Sequence, residues 1–286
     1  MIFIEQYEKG KNIKEKLSNI IKNKYEDFTI YIIKDRKVAK RKLNKILKTT
    51  KETCCILESK LENSDIEKIL IKNNIEILDG KKLFVKLLDD VILNYICRNQ
   101  KRKMNTAKIT IFTNENIIRN TKLIENLSKQ VKELIVYTNR VEEFSRIEEK
   151  LLKKYGINIT ITNNRNIISK SEIYINLDFI KEEFEKIELN PKSIFINVFY
   201  KFIYDNRKFD GINIIDYEIK FPIENAKIKE KLYKYDNKKI VEYFFYYKKE
   251  IKFKNLKINY LIGKNGKVMS KEMYRVFLEN RKNGRK

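Results

Sequence analysis

Short aliphatic runs alternate along the chain with longer segments in which apolar residues recur every three or four positions. These are the patterns of buried strands and amphipathic helices respectively. In the first third, the predicted strands are 26–34, 53–58 and 75–78, and the predicted helices are 36–48 and 64–74. Ser64 has the chemistry of an N-cap for the second of these helices.

A helical lead-in around 10–23 precedes this alternation, and a helix over 81–98 follows it. The second helix has an apolar face with steps of four residues, formed by Leu83, Leu87, Val91 and Tyr95. Strand–helix units in series build a layered α/β structure, so we expect residues 1–105 to form a small N-terminal α/β domain. The polar, basic segment 98–108 lacks periodicity and is predicted to be a linker.

The central part of the chain repeats the alternation more clearly. Its predicted strands are 108–113, 133–138, 157–162, 171–178, 193–200 and 212–217. Helical patterns lie between the first three strands, and the second of these helices opens at Asn139. Strands and helices that alternate over short connections favour a parallel sheet with right-handed crossovers and helices on both faces. We therefore expect a doubly wound, Rossmann-like parallel sheet over 106–225.

The pattern changes after residue 226. Strands are predicted at 239–249, 257–263 and 267–270, and an Asn-Gly turn joins the last two. Ser270 is expected to cap a final helix. The fold class predicted for the whole chain is therefore α/β: an N-terminal α/β layer, a central Rossmann-like sheet, and a small antiparallel β unit with a terminal helix at 226–286.

Composition agrees with a folded α/β protein. The chain has 286 residues, of which 42% are hydrophobic, with seven Gly and two Pro, so it can bury a core and should divide into about two domains. Apolar runs fall short of the roughly 18–20 residues that a membrane span needs. Glu5 interrupts the apolar N-terminus before a signal-like stretch is reached. A cytoplasmic protein without a membrane partner is expected.

The absence of histidine excludes several kinds of chemistry. No Ser-His or Cys-His mechanism is available, and the common zinc and iron sites lose their main nitrogen ligand, so no metal site is predicted. The acidic clusters have the spacing of solvated helix faces, and no catalytic residue is assigned. The three cysteines, Cys54, Cys55 and Cys97, are expected to be buried thiols in a reducing compartment.

The excess of positive charge is concentrated at the two ends of the chain. Residues 1–105 hold 25 basic and 15 acidic residues, residues 106–225 hold 19 and 18, and residues 226–286 hold 19 and 6. The last segment also contains 11 of the 33 Phe and Tyr residues. Positive charge beside aromatic rings suits nucleic acid, so binding through 226–286 is one hypothesis. The alternative is that the aromatic residues form core and the lysines a solvated rim.

The residues 107–217 resemble the cofactor domain of shikimate dehydrogenase, and less closely that of glutamyl-tRNA reductase. The resemblance lies in the run ITIFTNENIIRN (109–120), LIVYTNR (134–140), SEIYINLD (171–178), SIFINVFY (193–200) and FDGINI (209–214). It implies a degenerate NADP-binding Rossmann domain. In that family an Asn-Arg pair ends the second strand, here Asn139 and Arg140, and the arginine contacts the 2′-phosphate of NADP.

The turn after the first strand departs from this family. The three small positions of its G-x-G-x-x-[GA] turn are taken here by Thr113, Glu115 and Ile118. The glycines let the main chain approach the diphosphate, and a carboxylate about 4 Å from a phosphate costs on the order of 4 kcal/mol at an effective dielectric of ~20. Residues 1–105 also lack the family's proline-containing lysine segment and its Asn-Thr-Asp segment.

These departures lead to one main prediction and two alternatives. The main prediction is a non-catalytic Rossmann-like protein without a cofactor, a scaffold or regulator with an unknown macromolecular partner and an undetermined oligomeric state. The first alternative is an NADP-linked oxidoreductase with an atypical phosphate turn. In it, Thr113 and Asn114 donate side-chain hydrogen bonds, Asn139 and Arg140 complete the cofactor site, and Glu115 points away. The second alternative is nucleic-acid binding through 226–286.

Overall fold

The computed structural model describes residues 2–6, 20–24, 29–33, 36–115, 117–200, 202–220, 232 and 235–283. The chain forms two compact units: Met1–Gly80 with Phe221–Asn255, and Lys81–Lys220 with Leu256–Lys286. These units do not coincide with the predicted segments 1–105, 106–225 and 226–286. Residues 81–105 belong to the second unit, and the C-terminal segment is divided between the two.

The first unit contains a five-stranded sheet in the order β2-β3-β1-β4-β5. Its strands are β1 (Ile2–Gln6), β2 (Ile20–Lys24), β3 (Thr29–Ile33), β4 (Cys54–Leu57) and β5 (Glu76–Ile77). β3, β1, β4 and β5 are parallel, and β2 is antiparallel. The predicted helix at 10–23 lies outside the described residues except at its end, where Ile20–Lys24 is a strand.

Two helices of this unit match their sequence patterns. These are α1 (Arg36–Thr49) and α2 (Asp65–Lys72). The Ser64 hydroxyl accepts a hydrogen bond from the Ile66 amide at 3.2 Å, which confirms Ser64 as the N-cap of α2. Leu43 and Leu47 from α1 join Ile66 and Leu70 from α2 in one apolar cluster with the strands.

The second unit contains an eight-stranded sheet in the order β13-β12-β11-β10-β9-β6-β7-β8. Its strands are β6 (Lys108–Phe112), β7 (Glu133–Tyr137), β8 (Thr160–Thr162), β9 (Ile173–Asn176), β10 (Ile194–Asn197), β11 (Ile212–Ile219), β12 (Ile258–Gly263) and β13 (Gly266–Lys267). The six strands from β6 to β11 are parallel in the doubly wound order 3-2-1-4-5-6. The predicted Rossmann-like α/β fold, with a small antiparallel unit, is therefore confirmed.

Helices cover the crossovers between the first three of these strands. They are α5 (Ile118–Ser128) and α6 (Val141–Tyr155), with the short α7 (Arg165–Ile168) after β8. Helix α6 begins two residues later than predicted, and Gly156 ends it with a φ of 65°, which only glycine adopts easily.

The crossovers after β9 and β10 are built differently. The first contains only a 3₁₀ turn at Lys181–Phe184, and described residues 198–211 after β10 form no helix. Aromatic side chains cover the sheet there instead. Phe112, Phe179, Phe184, Phe195 and Tyr204 belong to one buried cluster. Because Phe179 and Phe184 are buried, the segment that joins them is held against the sheet.

The helix predicted at 81–98 is interrupted in the structure. It consists of α3 (Lys81–Leu87), a π-helical turn at Leu88–Ile92, and α4 (Leu93–Asn99). It belongs to the second unit, where the Asn126 amide donates to Asp89 at 2.7 Å and the Tyr95 hydroxyl contacts the Asn259 carbonyl. The predicted linker at 98–108 is likewise part of this unit, since Arg102 is buried against Glu172.

The segment 239–249 is helical, and its prediction as a strand was wrong. Helix α8 (Asn237–Tyr243) continues into a π-helical turn at Phe244–Lys248. The Asp236 side chain accepts from the Lys238 amide and caps the helix. The consecutive burial of Ile240 and Val241 fits a helix enclosed by its unit, and a run of apolar residues of this kind does not by itself distinguish a strand from a buried helix.

The predicted hairpin and final helix near the C-terminus are present. β12 and β13 pair across a tight turn at Lys264 and Asn265, and Gly266 adopts a φ of 95°. Helix α9 (Ser270–Asn283) follows. Ser270 is its first residue, and the Glu272 carboxylate accepts from the Met269 amide at 2.7 Å at the helix entry. None of the helices in the described part of the chain combines the length and apolar surface that a bilayer crossing needs.

The three cysteines are buried thiols. Burial raises the pKa of Cys54 to about 11, and burial also raises the pKa values of Cys55 and Cys97. A thiol with a raised pKa is a weak nucleophile at neutral pH, so these side chains serve as small apolar residues.

Glu125 on α5 provides a prediction for acid stability. The Tyr155 hydroxyl donates to Glu125 at 2.7 Å, and Lys129 and Lys150 lie at 3.2 and 3.3 Å from its oxygens. These hydrogen bonds, first that of Tyr155, lower the pKa of Glu125 to about 2 from 4.5. A carboxylate with a lowered folded-state pKa stabilises the fold above its unfolded-state pKa and loses that contribution as pH falls.

We therefore expect Glu125→Gln to lower the free energy of unfolding by about 1 kcal/mol near neutral pH, after allowance for screening by solvent. The difference from the unchanged protein should shrink as the pH falls from about 4.5 towards 2. Urea unfolding at several pH values measures this difference in the free energy of unfolding and its dependence on pH. A difference that stays constant over this range would contradict the assignment.

Candidate anion-binding site

The switch point of the second sheet lies between β6 and β9. From β6 the chain proceeds to β7 and β8 on one side, and from β9 it proceeds to β10 and β11 on the other. The connections therefore part at the carboxyl ends of β6 and β9, which leaves a crevice there in open α/β sheets. The turn Thr113–Glu115 follows β6, and Asp178 lies two residues beyond β9.

The Asp178 carboxylate occupies the concave side of this turn. It accepts hydrogen bonds from the Asn114 amide at 2.7 Å, the Glu115 amide at 3.1 Å and the Thr113 hydroxyl at 2.5 Å. Two consecutive main-chain amides that point at one anion form the type of concavity that holds phosphates in other proteins. The turn without glycine is therefore built around a negative charge, and that charge is supplied by the chain itself.

The start of α5 reinforces this arrangement. The N-cap residue Ile117 has no polar side chain, so the first amides of α5 receive no side-chain cap from it. Asn120, in the first turn of α5, donates from its side-chain nitrogen to the Thr113 hydroxyl and the Glu115 carbonyl, each at 3.0 Å. Asn120 is buried, and its side-chain oxygen has no partner among the described residues. These contacts fix the turn relative to the positive end of the helix dipole.

Arg119 brings a positive charge to the same helix end. Its guanidinium carbon lies 4.6 Å from the centre of the Phe199 ring, and Phe199 follows β10. In the described part of the chain, Arg119 forms no ion pair, and its buried Nε has no acceptor. A guanidinium stacked on an aromatic ring keeps its in-plane hydrogen-bond donors available for an anion.

A second carboxylate, that of Glu183, lies at the ends of β6 and β7. One of its oxygens accepts from the side-chain nitrogen of Asn114 at 3.3 Å and from that of Asn139 at 3.5 Å. Its other oxygen accepts from the Ile180 amide at 2.7 Å. The Asn114 side-chain oxygen accepts from the Asn139 amide at 2.8 Å, so the ends of the two strands are tied together.

The predicted site residues are only partly brought together. Thr113, Asn114 and Asn139 form one hydrogen-bonded group. The Arg140 side chain is 57% exposed, and its guanidinium lies 3.6 Å from the Glu143 carboxylate. Glu115, the expected obstacle to a phosphate, has an exposed side chain, and its main-chain amide faces the anion instead.

Sequence reasoning missed Asp178 and Glu183. Asp178 ends a predicted strand in the run INLD, and a polar residue there is a usable signal, because the carboxyl ends of parallel strands carry the site in these sheets. Glu183 gave no comparable signal. It lies in a segment without periodicity, and only the path of that segment across the strand ends brings Glu183 to Asn139.

In the described part of the chain no group of three or more His, Cys, Asp or Glu side chains is arranged to hold a metal ion. The hydroxyl of Tyr174 is buried and bonded to the Ile168 carbonyl and the Asn190 amide, and burial raises its pKa. It therefore serves the packing of the sheet.

No family model and no curated protein matches the chain. Among solved structures, the Thermococcus litoralis Δ(1)-pyrroline-2-carboxylate reductase in complex with NADH and L-proline shares 14% identity. The match covers 40% of this chain and 36% of that one, with a TM-score of 0.28. The chain therefore spans about a third of the length of that reductase.

Two further solved structures align over more of their length. The NAD complex of a D-isomer specific 2-hydroxyacid dehydrogenase from Lactobacillus delbrueckii is 12% identical over 57% of this chain and 54% of that one, with a TM-score of 0.33. The L-tryptophan dehydrogenase from Nostoc punctiforme is 12% identical over 90% of this chain and 71% of that one, with a TM-score of 0.32. At these identities the similarity concerns the fold.

Two predictions need correction. Dehydrogenases and reductases recur among these solved structures, some with NADH or NAD bound, and carbamoyltransferases recur among them as well. The predictions of a non-catalytic scaffold and of no cofactor are corrected in favour of their alternative, which is taken up below as a proposal. The assumption behind the scaffold was that the turn after β6 repels any anion, and the bonds to Asp178 show the opposite.

Proposed function

We propose that this chain is an oxidoreductase that binds a nicotinamide dinucleotide at the carboxyl ends of β6 and β9. The observation that carries the proposal is the pair of main-chain amides of Asn114 and Glu115 that converge on an anion at the switch point. In sheets of this strand order, the diphosphate of a dinucleotide lies at this point, against the turn and the start of the following helix. A bound nicotinamide would supply hydride transfer.

The residues fit a diphosphate if the Asp178 side chain gives way to it. The Asp178 carboxylate is held by three hydrogen bonds, and rotation about its side-chain torsions releases all of them without moving the main chain. The same amides and the Thr113 hydroxyl would then be available to hold a diphosphate. Arg119 supports this exchange, because it offers a positive charge at the start of α5.

The alternative drawn from the sequence supplies the finer form of the proposal. In it, Thr113 and Asn114 contact the cofactor from the atypical turn, and the resemblance to shikimate dehydrogenase adds Asn139 and Arg140. The shared hydrogen bonds of Thr113, Asn114 and Asn139 support these three contacts, whereas Arg140 is exposed and lies near Glu143. The chain's free, buried cysteines support a reducing compartment, and we place the protein in the cytoplasm.

The test is the substitution Asp178→Asn, which removes the competing charge and keeps the shape of the side chain. We expect it to raise the affinity for NADH by about 100-fold, since a carboxylate about 4 Å from a phosphate costs on the order of 4 kcal/mol before screening by solvent. Isothermal calorimetry on the full chain measures this. The fluorescence of NADH, which is excited at wavelengths that protein side chains do not absorb, gives a second signal.

The matched control is Asp205→Asn, which neutralises an exposed aspartate of the same unit. It should leave the affinity unchanged. If a correctly folded Asp178→Asn protein binds neither NADH nor NADPH at about millimolar concentration, the proposed function is wrong. An equal gain in both variants would mean that net charge alone is responsible.

Nucleic-acid binding through 226–286 and a macromolecular partner stay predictions. Residues 256–286 contribute β12 to the second sheet, where β12 pairs with β11 along five positions. Deletion of the segment would expose a strand edge, so charge reversal of exposed lysines such as Lys264 is the suitable way to examine it.

A further inference from the structure

The position of Glu183 bears on whether the proposed site prefers a dinucleotide with an unphosphorylated ribose or one with a 2′-phosphate. In sheets of this order, the adenosine ribose of a dinucleotide lies at the end of the second strand, here β7. Glu183 reaches that place from the segment after β9, and its carboxylate lies within 3.5 Å of the Asn139 side-chain nitrogen. An acidic group there can accept hydrogen bonds from the 2′- and 3′-hydroxyls of an unphosphorylated ribose.

Several contacts hold this carboxylate in place. The Ile180 amide donates to one oxygen at 2.7 Å, and the Asn114 side chain donates to the other at 3.3 Å. The next residue, Phe184, is buried in the aromatic cluster, with its ring centre 4.8 Å from that of Phe112. These contacts keep the Glu183 carboxylate at the end of β7, so an approaching phosphate meets its charge unless the hydrogen bonds are broken.

The arginine expected to bind a 2′-phosphate does not offset this charge. The Arg140 side chain projects from the N-cap of α6, is more than half exposed, and lies near Glu143. Glu142 and Glu143 occupy the first turn of the same helix and add negative charge at this end of the strand. A 2′-phosphate would therefore meet carboxylates before it met a free guanidinium.

We propose that Glu183 makes the site selective for NAD(H), the dinucleotide with an unphosphorylated ribose, against NADP(H). This inference rests on the proposed function and narrows its cofactor. A fixed carboxylate beside a phosphate of like charge weakens binding of the phosphorylated nucleotide, and accepts hydrogen bonds from the ribose of the other.

The experiment compares NADH and NADPH by calorimetry on the full chain, in the Asp178→Asn background and with Asp178 unchanged. We expect NADH to bind at least about 10-fold more tightly than NADPH. Glu183→Gln should reduce that ratio by about 10-fold, mainly through tighter NADPH binding. Glu182→Gln, which neutralises the exposed neighbouring carboxylate, should leave the ratio unchanged.

A second variant keeps the test independent of how well Glu183→Gln folds. We expect Arg140→Ala to leave the ratio of the two affinities unchanged, because Arg140 makes no contact with the 2′-position. Selective loss of NADPH affinity in Arg140→Ala would overturn the inference, as would NADPH binding that equals or exceeds NADH binding. If both nucleotides bind and Glu183→Gln leaves the ratio unchanged, the inference alone is wrong. If neither nucleotide binds to Asp178→Asn, the proposed function fails and the inference fails with it.

Discussion

Replacement of Phe112 by alanine is expected to lower the free energy of unfolding of the second unit by about 3–5 kcal/mol. Phe112 is the last residue of β6 and is fully buried. Its ring centre lies 4.8 Å from that of Phe184, 5.4 Å from that of Tyr137 and 5.7 Å from that of Phe179. Truncation removes the ring that these three share and leaves a cavity, which adds to the lost transfer free energy.

The same substitution should affect the candidate site, because the turn Thr113–Glu115 continues directly from β6. Phe179 follows Asp178, so loosening of the cluster moves both sides of the anion-binding concavity. Chemical denaturation followed by circular dichroism measures the stability change. Phe112→Leu, which keeps most of the volume, is the matched control and should cost less than about 2 kcal/mol. A loss below about 1 kcal/mol for Phe112→Ala would show that the cluster is not the core described above.

The second large effect is expected for Arg102→Met, with a loss of about 3–5 kcal/mol. The Arg102 guanidinium donates to the Glu172 carboxylate and to the Gln100 side-chain oxygen, and it stacks on Phe277 with 4.9 Å from its carbon to the ring centre. The Arg102 and Glu172 side chains are 5% and 17% exposed. Removal of the arginine leaves the largely buried Glu172 carboxylate with the Lys108 amide, at 3.1 Å, as its one remaining partner among the described residues.

A second substitution tests whether this loss of stability comes from the unpaired Glu172 charge. If the cost arises from the unpaired Glu172 charge, the double variant Arg102→Met, Glu172→Gln should recover a large part of the stability. The control is Lys153→Met, which removes one partner of the exposed Lys153–Glu149 pair and should cost less than about 0.5 kcal/mol. Equal losses for the buried and the exposed pair would contradict the role given to burial. Thermal unfolding of the variants under identical conditions distinguishes these outcomes.

The strand–helix rhythm of the second unit could be predicted because its periodicity is strong. Strands at 108–112, 133–137 and 173–176 lie within predicted ranges, and the helices between the first three strands are present. Local pattern succeeded here because each parallel strand is buried on both faces and reads as a continuous apolar run. Pattern failed at 239–249, where a run of aromatic residues is compatible with either a strand or a buried helix.

The site could be predicted only in part. The turn after β6 was identified as the decisive element, and Thr113, Asn114 and Asn139 do lie together. The effect of this turn on anion binding was predicted wrongly. The sequence shows the charge of the Glu115 side chain, but it does not show the direction of the main-chain amides. Whether an amide points at an anion depends on backbone torsions, which residue types without glycine or proline do not specify.

The sequence by itself determined the alternation of strands and helices, the parallel character of the central sheet, the burial of the cysteines, and the exclusion of histidine chemistry. These follow from local periodicity and composition. Only the tertiary structure decided which elements share a unit. The apolar face of 81–98 predicts that this segment is buried, but it does not show which elements the segment packs against. It alone brought Asp178 to the turn 63–65 residues earlier and Glu183 to Asn139. Contacts over such separations depend on strand order and on the path of the crossovers, and neither is recorded in local pattern.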